Sequence, residues 1–118
     1  MKRPTPTWAL PDDFAATLDD EGIVEIGGWE PIEVTAMSGT ASQGRDIPIA
    51  WQIEILASGE DGYAVEDRLL HAVREVDSAL AARCHSDTEA AACVLWVETE
   101  TDCRTLLEIC WPRVVRGA

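Results

Sequence analysis

Between Ile47 and Ala57 the chain reads Ile-Pro-Ile-Ala-Trp-Gln-Ile-Glu-Ile-Leu-Ala, with Ile47, Ile49, Trp51, Ile53, Ile55 and Ala57 at every second position. A strand sends alternate side chains to opposite faces, so these six make one continuous apolar face. The helical period would scatter them around a cylinder, and the β-branched and aromatic content agrees with a strand. Its second face, with Pro48, Ala50, Gln52, Glu54 and Leu56, is a mixed polar set. One face therefore demands a cover and the other is expected to stay partly open. Pro48 has no N–H to give to a ladder, which points to an entry or edge position at the strand's start.

The cover is expected next along the chain. After the turn Ser58-Gly-Glu-Asp-Gly62 the period becomes helical from Tyr63 to Arg83. Val65, Leu69, Ala72, Val73, Val76, Ala79 and Leu80 share one side of that helix, a stripe broad enough for a sheet. His71 falls on the opposite side, one turn after Asp67, and reads as a solvated pair. Upstream, Pro4, Pro6 and Pro11 around Trp8 define an extended N-terminal arm, residues 1–11. Asp12 or Asp13 caps a short helix, Phe14 to Asp20, closed by Gly22. Ile23 to Ile26 is a short strand, Gly27-Gly28 a tight hairpin turn, and Trp29 to Met37 the next strand. Ser38 to Gly44 is a small, polar loop without the pattern of a phosphate-binding loop.

In the last third, Ser86-Asp-Thr-Glu89 matches a capping box and predicts a turn of helix through Ala92. Val94 to Val97 and Arg104 to Trp111 then read as a hairpin around Thr99 to Asp102. Leu107, Ile109 and Trp111 alternate on one face of its second strand, which Pro112 ends. Residues 113–118 form a locally basic tail. These elements predict a single α+β domain, residues 1–118, with an antiparallel sheet of four to five strands. One long helix packs on one face, beside a short N-terminal helix.

Composition bears on function through charge. Nine basic and 22 acidic residues leave a net charge of −13, spread without an acidic tail. Such a surface repels nucleic acid and anionic membranes, because phosphate binding needs clustered Lys and Arg. It suits a basic protein partner, including one that itself binds nucleic acid. No apolar run is long enough for a membrane span, and no apolar segment follows Lys2 and Arg3 as in a signal peptide. The expected location is cytoplasmic: a host cytoplasm, or a virion if the chain is phage-encoded.

No catalytic motif is present: no Gly-x-Ser-x-Gly elbow, His-Glu-x-x-His helix, Walker loop or Rossmann glycine triplet. Cys84, Cys93, Cys103 and Cys110 form no CxxC pair, and His71 and His85 complete no zinc spacing. The expectation is therefore free thiols, no metal, no cofactor and no enzymatic activity. Cys103, placed in the expected turn, is the one cysteine read as exposed, with Asp102 and Glu100 suppressing its thiolate. Five of the seven aromatic residues are tryptophan. Trp51 and Trp111 lie on apolar strand faces and belong to the core. Trp8 and Trp29 stand among prolines, glycines and acids, where no periodicity demands burial, and exposed tryptophan favours interfaces. With Arg45, Gln52 and Glu54 they form the candidate interface set.

The segment Ile47 to Leu80, with its Ile-Pro-Ile-Ala-Trp-Gln-Ile-Glu-Ile-Leu-Ala strand, Ser-Gly-Glu-Asp-Gly turn and Val-Glu-Asp-Arg-Leu-Leu-His-Ala-Val-Arg-Glu-Val helix, resembles the core of phage tail terminator and tail-completion proteins. Those are small α+β proteins that cap the tail tube as rings, and the N-terminal helix here is short for that family. The resemblance rests on pattern and carries over no functional residue. It implies a non-enzymatic assembly protein working through identical subunits. The charge supports the alternative of an acidic inhibitor or immunity protein, a nucleic-acid mimic such as an anti-CRISPR or anti-restriction protein, masking a basic partner.

Overall fold

The structure, a computed structural model, describes residues 8–38 and 49–114. The order of elements is α1 (Phe14–Glu21), β1 (Ile23–Trp29), β2 (Ile32–Ser38), β3 (Ile49–Leu56), α2 (Gly62–Val76), α3 (Ser78–Arg83), β4 (His85–Ser86), β5 (Ala92–Val97) and α4 (Glu100–Val114). The five strands form one antiparallel sheet in the order β1-β2-β3-β5-β4. This is an α+β fold with all four helices on one face.

The organising strand β3 sits in the middle of the sheet from Ile49 onward, and the entry or edge position expected at Pro48 falls outside the described residues. Ile47 and Pro48 lie outside the described residues, as do Arg45, most of the Ser38–Gly44 loop, most of the arm and most of the tail. Alternation along β3 is as its sequence implies. Trp51, Ile53 and Ile55 are buried on the inner face, opposite Ala36, Val34 and Ile32 of β2 and Val97, Leu95 and Cys93 of β5. Against this layer pack Val65, Leu69, Ala72 and Val73 of α2, Leu80 of α3, and Cys103, Leu106, Leu107 and Cys110 of α4. Phe14 of α1 stacks on Trp51 with ring centroids 5.6 Å apart. Trp51 and Trp111 are both core residues.

The α1 helix ends as expected. Gly22 adopts a left-handed conformation (φ 77°) and its N–H returns to the Leu18 carbonyl.

The first hairpin turns elsewhere than expected. Strand β1 continues through Gly27 and Gly28 to Trp29, and Glu30-Pro31, joined by a cis peptide, makes the turn into β2. The glycines serve packing instead. The Trp29 ring lies back over Gly27, where a Cβ would come within 2.5 Å of the ring. A bulge between Glu25 and Gly27 resets the register.

The long helix is broken. Asp77 leaves helical geometry (φ −154°, ψ 89°), ending α2 while its carboxylate accepts the Leu80 N–H at 3.0 Å and caps α3. The resulting change of direction keeps Leu80 buried but exposes Val76 and Ala79, which the continuous stripe had placed inside. His71 meets Glu75 at 3.0 Å instead of Asp67, and both side chains are largely exposed.

The Ser86–Glu89 segment forms no helix. His85 and Ser86 pair with Trp96 and Leu95, and Glu89 bridges Ala92. The Thr88 hydroxyl ties the segment to its neighbours, donating to Glu66 at 2.5 Å and accepting the Val94 N–H at 3.1 Å. Gly62, at the start of α2, approaches the same turn so closely that a Cβ would strike the Glu89 carbonyl.

The expected terminal hairpin is the largest correction. Glu100–Val114 is a 15-residue helix with Pro112 inside it. Thr99 starts it: its hydroxyl accepts the Asp102 N–H at 3.1 Å and its carbonyl accepts the Cys103 N–H. Glu100 and Asp102 add favourable charge at the positive end of the helix dipole. Cys103, Leu106, Leu107 and Cys110 follow at i, i+3, i+4 and i+7, a helical stripe that the alternation of Leu107, Ile109 and Trp111 obscured.

Candidate functional site

The register assigns the outer face of the sheet residue by residue. Gln52 lies between Thr35 and Trp96, Glu54 between Glu33 and Val94, and Ala50 opposite Met37. Among the described residues no helix packs on this face. Toward β5 it is apolar: Ala92, Val94 and Trp96 are buried although they point away from the core, and His85 stacks on Trp96 at 4.1 Å. Toward β1 it is acidic. Glu33 and Glu54 are direct cross-strand partners, and with Glu25, Gly28, Glu30 and Leu56 they line a hollow of about 320 Å³.

Charge is segregated between the two sides. No strand contains Lys or Arg, and the five arginines of the described residues, Arg68, Arg74, Arg83, Arg104 and Arg113, all lie on helices. Arg68 binds Glu60 at 2.7 Å, and Arg83 holds Asp102 with two bonds of 2.7 and 2.9 Å. Hydrogen bonding to Glu60 raises the Arg68 pKa, and the Arg83 guanidinium lowers that of Asp102. Arg113 donates to the Ile109 carbonyl at 2.7 Å and has no carboxylate partner among the described residues.

Of the candidate interface residues, Gln52 and Glu54 are thus together on the outer face, half-buried. Trp8 and Trp29 are on the helical side and pack inward. The Trp8 indole N–H donates to Glu100 at 2.6 Å, its ring lies 6.2 Å from that of Trp51, and the Arg104 guanidinium sits 5.5 Å from its centre. Trp29 makes an edge contact with Trp111 at 6.1 Å. Arg45 lies outside the described residues. Glu25 and Glu33 also line the acidic hollow and were missed because cross-strand partnership follows from register: Glu33 meets Glu54 through the β2–β3 pairing, and Glu25 reaches the hollow through the β1–β2 hairpin.

The cysteines are placed against thiolate chemistry. Cys93, Cys103 and Cys110 are buried and Cys84 half-buried, which corrects the exposed position expected of Cys103. Burial pushes the Cys93 thiol up to about 11 and Cys84 and Cys110 up to about 12, and raises Cys103 as well. No hydrogen bond joins a histidine ring to a thiol among the described residues, and no group of three His, Cys, Asp or Glu there is arranged to hold a metal. No described helix is long and apolar enough to cross a membrane.

The geometry defines a one-sided α+β sheet domain whose outer face is apolar toward β5 and acidic toward β1. No protein-family model, curated protein or solved structure matches this chain.

Proposed function

We propose that the protein is a non-enzymatic assembly module that binds other protein subunits through the outer face and rim of its sheet, in the manner of a phage tail terminator-like ring subunit. The observation that carries this reading is the one-sided cover. Four helices bury the inner face while Gln52, Glu54, Glu33 and Glu25 remain on a face without a described helix. A sheet surface that mixes apolar and charged groups is suited to a protein contact, where an apolar centre excludes water and a charged rim sets orientation. Mass measurement in solution over a range of concentrations, with electron microscopy of the native particle, tests it. A defined oligomer or incorporation into a larger assembly is expected, and a strict monomer that joins no particle overturns it.

A second reading is favoured by the charge segregation. Strands without Lys or Arg, carrying Glu25, Glu33 and Glu54, present a surface that an acidic inhibitor would use to mask a basic groove. That reading requires binding to a basic protein that weakens steeply with salt and with Glu33→Gln plus Glu54→Gln. Unchanged binding of those variants would exclude it.

A further inference from the structure

The acidic hollow has a neighbour of opposite character. A cleft of about 460 Å³ opens between the end of β3, α2 and the end of α4, and its lining includes Arg68 and Arg113. Pro31 and Leu56 line both depressions, so they form the ridge that separates them. Leu56, on that ridge, has half of its surface exposed (51%) and so offers an apolar contact between the two depressions. On the acidic side, Glu33 and Glu54 oppose each other in register without a described cation on any strand. On the basic side, Arg68 is already neutralised by Glu60, whereas Arg113 spends one N–H on the Ile109 carbonyl and meets no described carboxylate. Arg113 is therefore the base this rim has to offer.

We infer that this end of the sheet is a self-complementary interface, in which the acidic hollow of one copy receives Arg113 of a second copy and Leu56 packs at the centre. The occupant is a second copy of this chain because the two charges needed, and the apolar ridge between them, lie side by side on one molecule. In a two-fold contact each residue that meets a partner is met in turn by the same partner's counterpart. A two-fold axis through the Leu56 ridge pairs hollow with cleft twice and leucine with leucine once. The contact would relieve Glu33–Glu54 repulsion and give the Arg113 guanidinium a bidentate acceptor that no described residue supplies. This inference rests on the assembly reading and names one of its contacts.

The test uses the full chain with Arg113→Glu, with Glu54→Lys, and with the two variants mixed, followed by sedimentation equilibrium at low and moderate salt. Arg113→Glu sets like charges against each other twice, and Glu54→Lys halves the net charge of the hollow and puts a cation opposite Arg113, so each alone is expected to self-associate roughly tenfold more weakly or worse. The mixture restores opposite charges at both contacts and is expected to form a one-to-one heterodimer near wild-type affinity. Circular dichroism checks that each variant is folded, and Arg113→Gln with Glu54→Gln replaces a reversal that is not. If the wild type associates but neither variant weakens it, this interface is wrong while the assembly reading stands. Weakened variants that do not recombine on mixing also overturn the complementarity. A wild type monomeric at all concentrations overturns this interface, and it overturns the assembly reading as well only where the chain also joins no larger particle.

Discussion

At the scale of single residues, the decisive feature is which groups the fold removes from water. Asp102 is held by Arg83 through two hydrogen bonds, and its folded pKa lies below its unfolded value. Such a group stabilises the fold above its unfolded pKa, about 4, and the contribution is lost as pH falls through the folded pKa. Asp102→Asn is therefore expected to be less stable than wild type at pH 7, with the gap closing in acid, as read by urea titration at several pH values. The thiols behave in the opposite sense. Their folded pKa values are raised by burial, so their contribution is complete below the unfolded value near 8.5 and is lost as pH rises toward 11 to 12. Stability is expected to decline above about pH 8.5, and thiol reagents should label Cys93, Cys103 and Cys110 only as fast as the core opens. Labelling of all three at the rate of a free thiol in the native protein would contradict this burial. The candidate tryptophans show how residue type misleads: Trp8 and Trp29 lack any periodic signal for burial, yet a single carboxylate 92 positions away and a neighbouring glycine are enough to hold them inward.

At the scale of elements, caps decided what periodicity left open. The run Leu106–Trp111 satisfies both an alternating and a helical pattern, because apolar residues fill almost every position. Thr99, with its hydroxyl on the Asp102 N–H, selects the helix. Thr99→Ala is expected to cost about 1 kcal/mol in chemical denaturation, the usual loss for an N-cap, while Thr99→Ser should retain most of it. Conversely, Ser86-Asp-Thr-Glu89 has the letters of a capping box but no helix, because Ser86 pairs with Leu95, Glu89 bridges Ala92, and Thr88 is held by Glu66 and the Val94 N–H. The break at Asp77 has the same origin: a side chain that accepts its own backbone N–H three residues on offers the chain an alternative to continuing α2. The strand β3, the short α1 with its Gly22 cap and the start of α2 were legible because each combines an unambiguous period with a matching terminator.

At the scale of the whole molecule, one-sided helix cover and charge segregation act together. Every described arginine is on the helices, so the carboxylates of the sheet face have no intramolecular counter-charge from the strands. Glu33 and Glu54 directly opposite each other should therefore destabilise the isolated chain. Glu33→Gln is expected to raise stability by roughly 0.2 to 1 kcal/mol, more at low ionic strength, while weakening whatever contact that face makes. Thermal unfolding at two salt concentrations checks the first half and the binding assays the second. The acidic hollow was only half legible: Glu54 follows from the strand's alternation, whereas Glu33 joins it through the β2–β3 register and Glu25 through a hairpin whose turn falls at Glu30-Pro31.

The sequence by itself determined the alternating strand from Ile49, its apolar inner face, the helix that follows and the acidic balance of the surface. These depend on side-chain period and on counting charges, both of which are local. Tertiary structure alone decided that Gly27 makes room for Trp29, that Glu100–Val114 is helical, that β3 is central, and that an acidic hollow and Arg113 share the Leu56 ridge. The last two are meetings of residues far apart in the chain, and the first two turn on packing and on a cap, none of which is written in a local period.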